Sequence, residues 1–116
     1  MISTGVDIIE VKRIKNVIRS NKKFLQKVYT PVEVEYCLAR KNKWQHFAVR
    51  FAAKEAVWKA LGRKDIWHRD ITVKNGPSGE PCVILSGRHK KVQGRVSLSL
   101  SHTEDYAVAV AVYDKR

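Results

Sequence analysis

The chain has 116 residues, 44% hydrophobic and 29% charged, which suits one soluble domain spanning 1–116 and leaves little room for a second. Its 23 basic residues against 11 acidic ones give a net charge of +12, so an anionic partner is expected: nucleic acid, an anionic membrane, a phosphorylated cofactor or an acidic protein. No apolar run approaches the roughly 18 residues of a membrane span, and the opening Met1-Ile2-Ser3-Thr4-Gly5-Val6-Asp7 lacks the basic start and apolar stretch of a signal peptide.

Residues 2–8 read as a strand. Ile2, Thr4, Val6 and Ile8 alternate with Ser3, Gly5 and Asp7, so Asp7 sits on the face with small neighbours. Val11, Ile14, Val17 and Ile18 then recur at helical spacing, and Phe24, Leu25 and Val28 suggest a second short turn. From Val11 to Val32 there is no acidic residue, while Lys12, Arg13, Lys15, Arg19, Lys22, Lys23 and Lys27 all fall there. Solvated helix faces usually mix both signs, so a functional basic surface is expected.

Thr30-Pro31-Val32-Glu33 carries a capping-box pattern with proline at the first helical position, which predicts a helix over 31–41. A longer helix is predicted over 44–61, stopped by Gly62. Strands are predicted over 70–74 and 82–85 around the Gly76-Pro77-Ser78-Gly79 turn. The basic stretch 86–93 reads as a short helix or loop. Strands over 96–102 and 106–113 follow as a hairpin. In the last strand Ala107, Ala109 and Ala111 alternate with Val108, Val110 and Val112, which predicts burial on both faces. The expected fold is α+β, with the N-terminal strand and helices packed on a mainly antiparallel sheet. Cys37 and Cys82 have no CxxC partner and read as buried reduced thiols of a cytoplasmic protein, without a zinc site.

The long helix carries the best chemical clue. Stepping at about 100° per residue puts Trp44, Ala48, Phe51, Ala52 and Trp58 on one side, with Glu55 among them and Lys59 one turn beyond. A carboxylate on an apolar face needs a partner, because desolvating a charge is costly. The simplest partner is Lys59 itself, in a surface pair worth only about 0.3–0.5 kcal/mol. The alternative is a metal ion or phosphate held at this face. Asp7, a second carboxylate among small neighbours, would complete a magnesium site with substrate phosphates and water if it converges on Glu55.

At these residues the chain resembles a family. Gly5-Val6-Asp7-Ile8-Ile9-Glu10-Val11-Lys12-Arg13-Ile14 resembles the opening motif of the synthase-type 4'-phosphopantetheinyl transferases. Arg50-Phe51-Ala52-Ala53-Lys54-Glu55-Ala56-Val57-Trp58-Lys59-Ala60-Leu61-Gly62 resembles their central motif, Phe-x-x-Lys-Glu-Ala-x-x-Lys-Ala. Ser97-Leu98-Ser99-Leu100-Ser101-His102-Thr103 with Tyr106-Ala107 resembles the C-terminal motif. Thr30-Pro31-x-Glu33 and Gly79-x-Pro81 match weaker landmarks. The order and spacing fit over nearly the whole chain. One departure is visible: where relatives often add a second small-residue step such as Thr-Gly, this chain has Arg63-Lys64-Asp65, so a different loop shape is expected.

The resemblance implies transfer of 4'-phosphopantetheine from coenzyme A to a serine of an acyl carrier protein, releasing adenosine 3',5'-bisphosphate, in support of fatty acid biosynthesis. It implies that Asp7 and Glu55 hold Mg2+ with the coenzyme A pyrophosphate. It also implies that His102 contacts the cofactor phosphates. Charge on the phosphate oxygens would be stabilised by the cation and by Lys59. The serine proton would leave to a water on that cation, oriented by Asp7 or Glu55, or directly to one of the carboxylates. Arg40, Lys41 and Lys43 form a basic cluster before the long helix and are candidates for the 3'-phosphate. Arg13 matches the position that meets the acidic carrier, with Lys23, Lys27 and an apolar anchor at Phe24 beside it. Relatives are commonly homotrimers with active sites between subunits. His46, His68 and His89 have no such support and read as structural. A nucleic-acid module fits the charge but lacks an RNA-binding or zinc-finger signature. A noncatalytic carrier-binding protein would leave Glu55 and Lys59 unexplained. Neither nucleic acid nor membrane is therefore an expected partner.

Overall fold

The computed structural model describes residues 1–63 and 65–116. In chain order it holds β1 (Ile2–Glu10), α1 (Val11–Ser20), α2 (Lys22–Val28), α3 (Pro31–Leu38), α4 (Lys43–Ala60), β2 (Ile71–Asn75), β3 (Pro81–Leu85), β4 (Val96–His102) and β5 (Tyr106–Asp114). Short 3-10 segments cover His68–Asp70 and Gly87–Arg95. The class is α+β, but the strands form two antiparallel sheets rather than one. β1, β5 and β4 lie in that order, and β2 pairs with β3 alone. Among the described residues no helix is long and apolar enough to cross a membrane.

Local chemistry explains most boundaries. Asn21 caps α2 by accepting from Lys23 N–H at 3.1 Å. Glu33 reaches back to the Thr30 N–H at 2.9 Å, as the expected capping box requires. α4 ends in a paired glycine cap. Gly62 takes φ +83°, its N–H donates to Lys59 O and the Arg63 N–H donates to Trp58 O. Arg63 also enters the left-handed region at φ 57° and lays its guanidinium 5.2 Å from the centre of the Trp58 ring. The loop departure expected at Arg63-Lys64-Asp65 falls partly on Lys64, outside the described residues. In the β4–β5 turn the Thr103 hydroxyl accepts from the N–H groups of Asp105 and Tyr106.

The core lies between α4 and the three-stranded sheet. Ala107, Ala109 and Ala111 of β5 face Ala52, Ala53, Ala56 and Ala60 of α4, and all seven are fully buried. Small side chains on both surfaces bring helix and sheet close, closest at Gly5. A Cβ there would run into Ala56 O and stand 2.9 Å from Ala60 N. The valine face of β5 behaves differently from expectation. Val108 and Val112 are only partly buried and Val110 is exposed, so within one chain β5 is buried on its alanine face alone. Ile2, Val6 and Ile8 of β1 extend that open apolar face.

α4 is buried nearly all round, and two of its buried residues are cationic: Arg50 and Lys54. Lys54 Nζ pairs with Glu33 Oε1 at 2.7 Å, with both side chains fully buried. Burial pulls the Lys54 ammonium below its usual pKa, and the Glu33 carboxylate opposes that shift. Cys37 is buried as expected. Cys82 is not: it lies exposed on β3, because its strand is half-open to solvent.

Candidate active site

The close approach at Gly5 sets the position of Asp7. Two residues on from Gly5 along β1, Asp7 shares its face and comes out beside the last turn of α4. Lys59 Nζ lies 3.5 Å from Asp7 Oδ1 and donates to Val6 O at 2.9 Å. Glu55 stands one turn before Lys59. It does not occupy the buried face predicted for it. With Phe51, Trp58 and Lys59 it lines the one open stripe of α4, and its side chain is 22% exposed. Its neighbour is not Lys59 but His68, whose Nε2 lies 3.3 Å from Glu55 Oε1.

Asp7 is held above the ordinary carboxyl pKa. Burial is the main cause; the Lys59 cation pulls it down, and the Glu55 charge pushes it up again. The two carboxylates are thus near enough to repel each other, and against their two negative charges Lys59 supplies one positive charge and does not neutralise both. A divalent cation would. Mg2+ takes one or two carboxylates and fills its remaining positions with water and substrate phosphates. Asp7 and Glu55 supply that number and both are partly open. Among the described residues no group of three or more His, Cys, Asp or Glu side chains forms an all-protein cage. The donor set therefore fits a cation shared with a phosphorylated ligand.

A family model described as the 4'-phosphopantetheinyl transferase superfamily matches residues 3–111. The chain belongs to that superfamily. A holo-[acyl-carrier-protein] synthase from Koribacter versatilis is 42% identical, over 98% of both chains. The crystal structure of a Bacillus anthracis holo-(acyl-carrier-protein) synthase in complex with CoA (3',5'-ADP) has a TM-score of 0.83 at 35% identity, over 98% of this chain and 96% of that one. That of the Helicobacter pylori holo-[acyl-carrier-protein] synthase in complex with coenzyme A has a TM-score of 0.81 at 34% identity, over 96% of this chain and 99% of the other.

The remaining residues singled out for cofactor binding do not join Asp7 and Glu55 in one chain of this superfamily member. His102 ends β4, with its ring 6.1 Å from that of His46. His46 precedes Glu55 by nine residues, about 13 Å along the helix. Lys41 and Lys43 flank Asn42 at the start of α4, and Lys43 is about 18 Å upstream of Glu55 by the same rise. His102 instead shares a cavity of about 200 Å3 with Tyr36, His46, Arg50, Asn75 and Pro81. Arg50 gives that cavity a fixed positive charge. Its guanidinium lies 4.3 Å from the Tyr36 ring centre and donates to Asn75 Oδ1 at 3.1 Å, while its Nε is buried without a partner. Burial and the Arg50 and Arg40 guanidiniums, with the neighbouring His102 ring, hold the His46 pKa below its usual value. The cavity is thus a cationic pocket with unused donors.

Arg13 on α1 and Lys23 and Lys27 on α2 are exposed, as a docking surface requires. Phe24 is half-buried rather than free. Its ring packs at 6.3 Å on Tyr29 and 6.0 Å on Phe51, tying α2 to α4. Sequence reasoning gave no role to Arg50, Lys54 or His68. A cation inside an otherwise apolar helical repeat could have flagged Arg50 and Lys54. Nothing local marks His68, because its neighbour Glu55 comes from another element.

Proposed function

We propose that the chain transfers the 4'-phosphopantetheine group of coenzyme A to a serine of an apo-acyl carrier protein, releasing adenosine 3',5'-bisphosphate, in support of cytoplasmic fatty acid biosynthesis. The observation that carries this is the convergence of Asp7, Glu55 and Lys59 on one open patch, in a fold shared with synthases solved with coenzyme A. The serine Oγ forms a bond to the phosphorus that bears pantetheine. The bridging P–O bond breaks, and adenosine 3',5'-bisphosphate leaves with that oxygen. The serine proton passes to Asp7 or Glu55, directly or through water. Lys59, fixed by Val6 O and Asp7, places an ammonium where phosphate charge develops. Asp7 and Glu55 would hold Mg2+, which when bound neutralises the pyrophosphate and so helps the leaving group depart.

Arg50 and His102 suit the nucleotide end of coenzyme A, with Lys41 and Lys43 on its 3'-phosphate. Their separation from Asp7 supports a site shared between subunits. The open face of Ile2, Val6, Ile8, Val108, Val110 and Val112 supports the same assembly: it is too apolar for a solvated sheet face, and a homotrimer would cover it. The carrier, being acidic, would meet Arg13, Lys23 and Lys27. The test is intact-mass spectrometry of an apo-acyl carrier protein incubated with the chain, coenzyme A and Mg2+. The carrier should gain one phosphopantetheine, and the gain should vanish with Glu55→Gln or excess chelator. No gain with several apo-carriers would refute the assignment.

A further inference from the structure

His68 stands beside the proposed catalytic patch and has no role in the scheme above. Its imidazole lies flat on Phe51, with ring centroids 5.5 Å apart and planes 9° from parallel. That stack fixes the ring with Nε2 at 3.3 Å from Glu55 Oε1. Nε2 is buried and makes no hydrogen bond of regular geometry among the described residues, and Glu55 Oε1, 3.3 Å away, is the acceptor within its reach. A carboxylate only accepts, so the proton belongs on Nε2. A phenylalanine would stack on Phe51 equally well; what histidine adds here is the nitrogen.

The backbone of His68 is held from the other side of α4. Lys54 Nζ donates to His68 O at 2.9 Å and also to Ile71 O, while pairing with Glu33. Glu33 accepts in turn from the N–H groups of Thr30 and Val73, at 2.9 and 2.8 Å. This buried charge cluster ties α3, α4 and β2 together and fixes the turn from which the imidazole projects.

We propose that His68 is a positioning residue for Glu55: its Nε2–H orients the carboxylate toward Asp7, and the Lys54–Glu33 pair sets where the imidazole stands. The inference rests on Asp7 and Glu55 being the cation ligands. A free carboxylate at a helix surface samples several orientations, and an outer hydrogen bond selects one. Loss of such a partner typically weakens metal binding by about 10–100-fold.

The test uses Mn2+ as probe, titrated calorimetrically into the full chain with coenzyme A present, for wild type, His68→Phe and His68→Gln, with a thermal melt of each. His68→Phe keeps the stack and removes the nitrogen. It should bind Mn2+ at least about 10-fold more weakly while melting close to wild type. His68→Gln, whose amide N–H can take the place of Nε2–H, should keep most of the affinity. Equal Mn2+ affinity in wild type and a folded His68→Phe would overturn the inference alone, as would a His68→Gln as weak as His68→Phe. Failure of the wild type to bind Mn2+ would instead overturn the ligand assignment, and this inference with it.

Discussion

Gly5→Ala probes the contact that positions the whole patch. The added Cβ would run into Ala56 O and stand 2.9 Å from both Ala60 N and Lys59 Cβ. Two of these three atoms are helix backbone, which cannot swing aside, so β1 must move off α4. Over-packing in a core costs about 1–3 kcal/mol, and two rigid backbones put this case near the top of that range. Against a total stability of about 5–15 kcal/mol the loss is substantial. At about 4 °C per kcal/mol it lowers the melting temperature by about 12 °C. The same movement carries Asp7 away from Lys59 and Glu55, and a misplacement of about 1 Å can cost about 100-fold in rate. Circular dichroism melts give the first quantity and the initial rate of carrier modification gives the second. A Gly5→Ala protein within about 1 kcal/mol of wild type and equally active would refute the claim that backbone contact between β1 and α4 places Asp7.

Four further outcomes follow from the interior and the open sheet face. Lys54→Met strands the Glu33 carboxylate and should cost about 3–5 kcal/mol in urea unfolding. Adding Glu33→Gln should recover part of that loss, and a purely additive double variant would refute the coupling of the pair. Burial pushes the Cys37 thiol up to about 12 from its ordinary 9.0, so native protein should react with a thiol reagent at Cys82 alone. The native state keeps the Cys37 proton where the unfolded chain releases it. The stability linked to Cys37 is therefore full below about pH 9 and falls between about 9 and 12, by at most about 1.4 kcal/mol per unit. Urea midpoints should thus decline more steeply with pH in wild type than in Cys37→Ala, and parallel slopes would contradict this. Val110→Lys puts a charge on a residue 40% exposed in the single chain. It should leave the circular dichroism spectrum unchanged yet sediment as a smaller species, and unchanged sedimentation would refute the proposed interface.

Elements governed by neighbouring residues were legible in the sequence. The Thr30–Glu33 pattern starts α3, Gly62 ends α4, and the alternation from Val96 to Tyr113 forms the β4–β5 hairpin. The small-residue face of β1 was also legible, and it carries Asp7 as expected. Charges on α4 were read less well. Periodicity finds the inner side of a helix only when one side is polar, and α4 is enclosed almost all round. Glu55 was therefore placed on the buried face, although its stripe is the open one. The deeply buried cations are Arg50 and Lys54, and their partners Asn75, Glu33, His68 and Ile71 come from other elements. No helical spacing encodes such long-range contacts.

The alternation in β5 fits the proposal of a site shared between subunits. A strand apolar on both faces is normally a strand enclosed on both faces. Here the alanines are spent on α4, since only small side chains admit the close approach that also requires Gly5. The valines are left facing out beside Ile2, Val6 and Ile8. The pattern thus gives β5 one face packed within the chain and one left open to the proposed neighbour. The residues proposed to act divide along the same line: Asp7, Glu55 and Lys59 are gathered by the alanine side of the sheet, whereas Lys41 and Lys43 lie at the start of α4, about 18 Å before Glu55 at Lys43, and His102 lies beside His46, about 13 Å before Glu55 along the same helix. Coenzyme A is long enough for one molecule to use both groups, whether they come from one subunit or from two that meet across the valine face. In the proposed assembly a domain with a modest core would draw stability and a complete site from the same association.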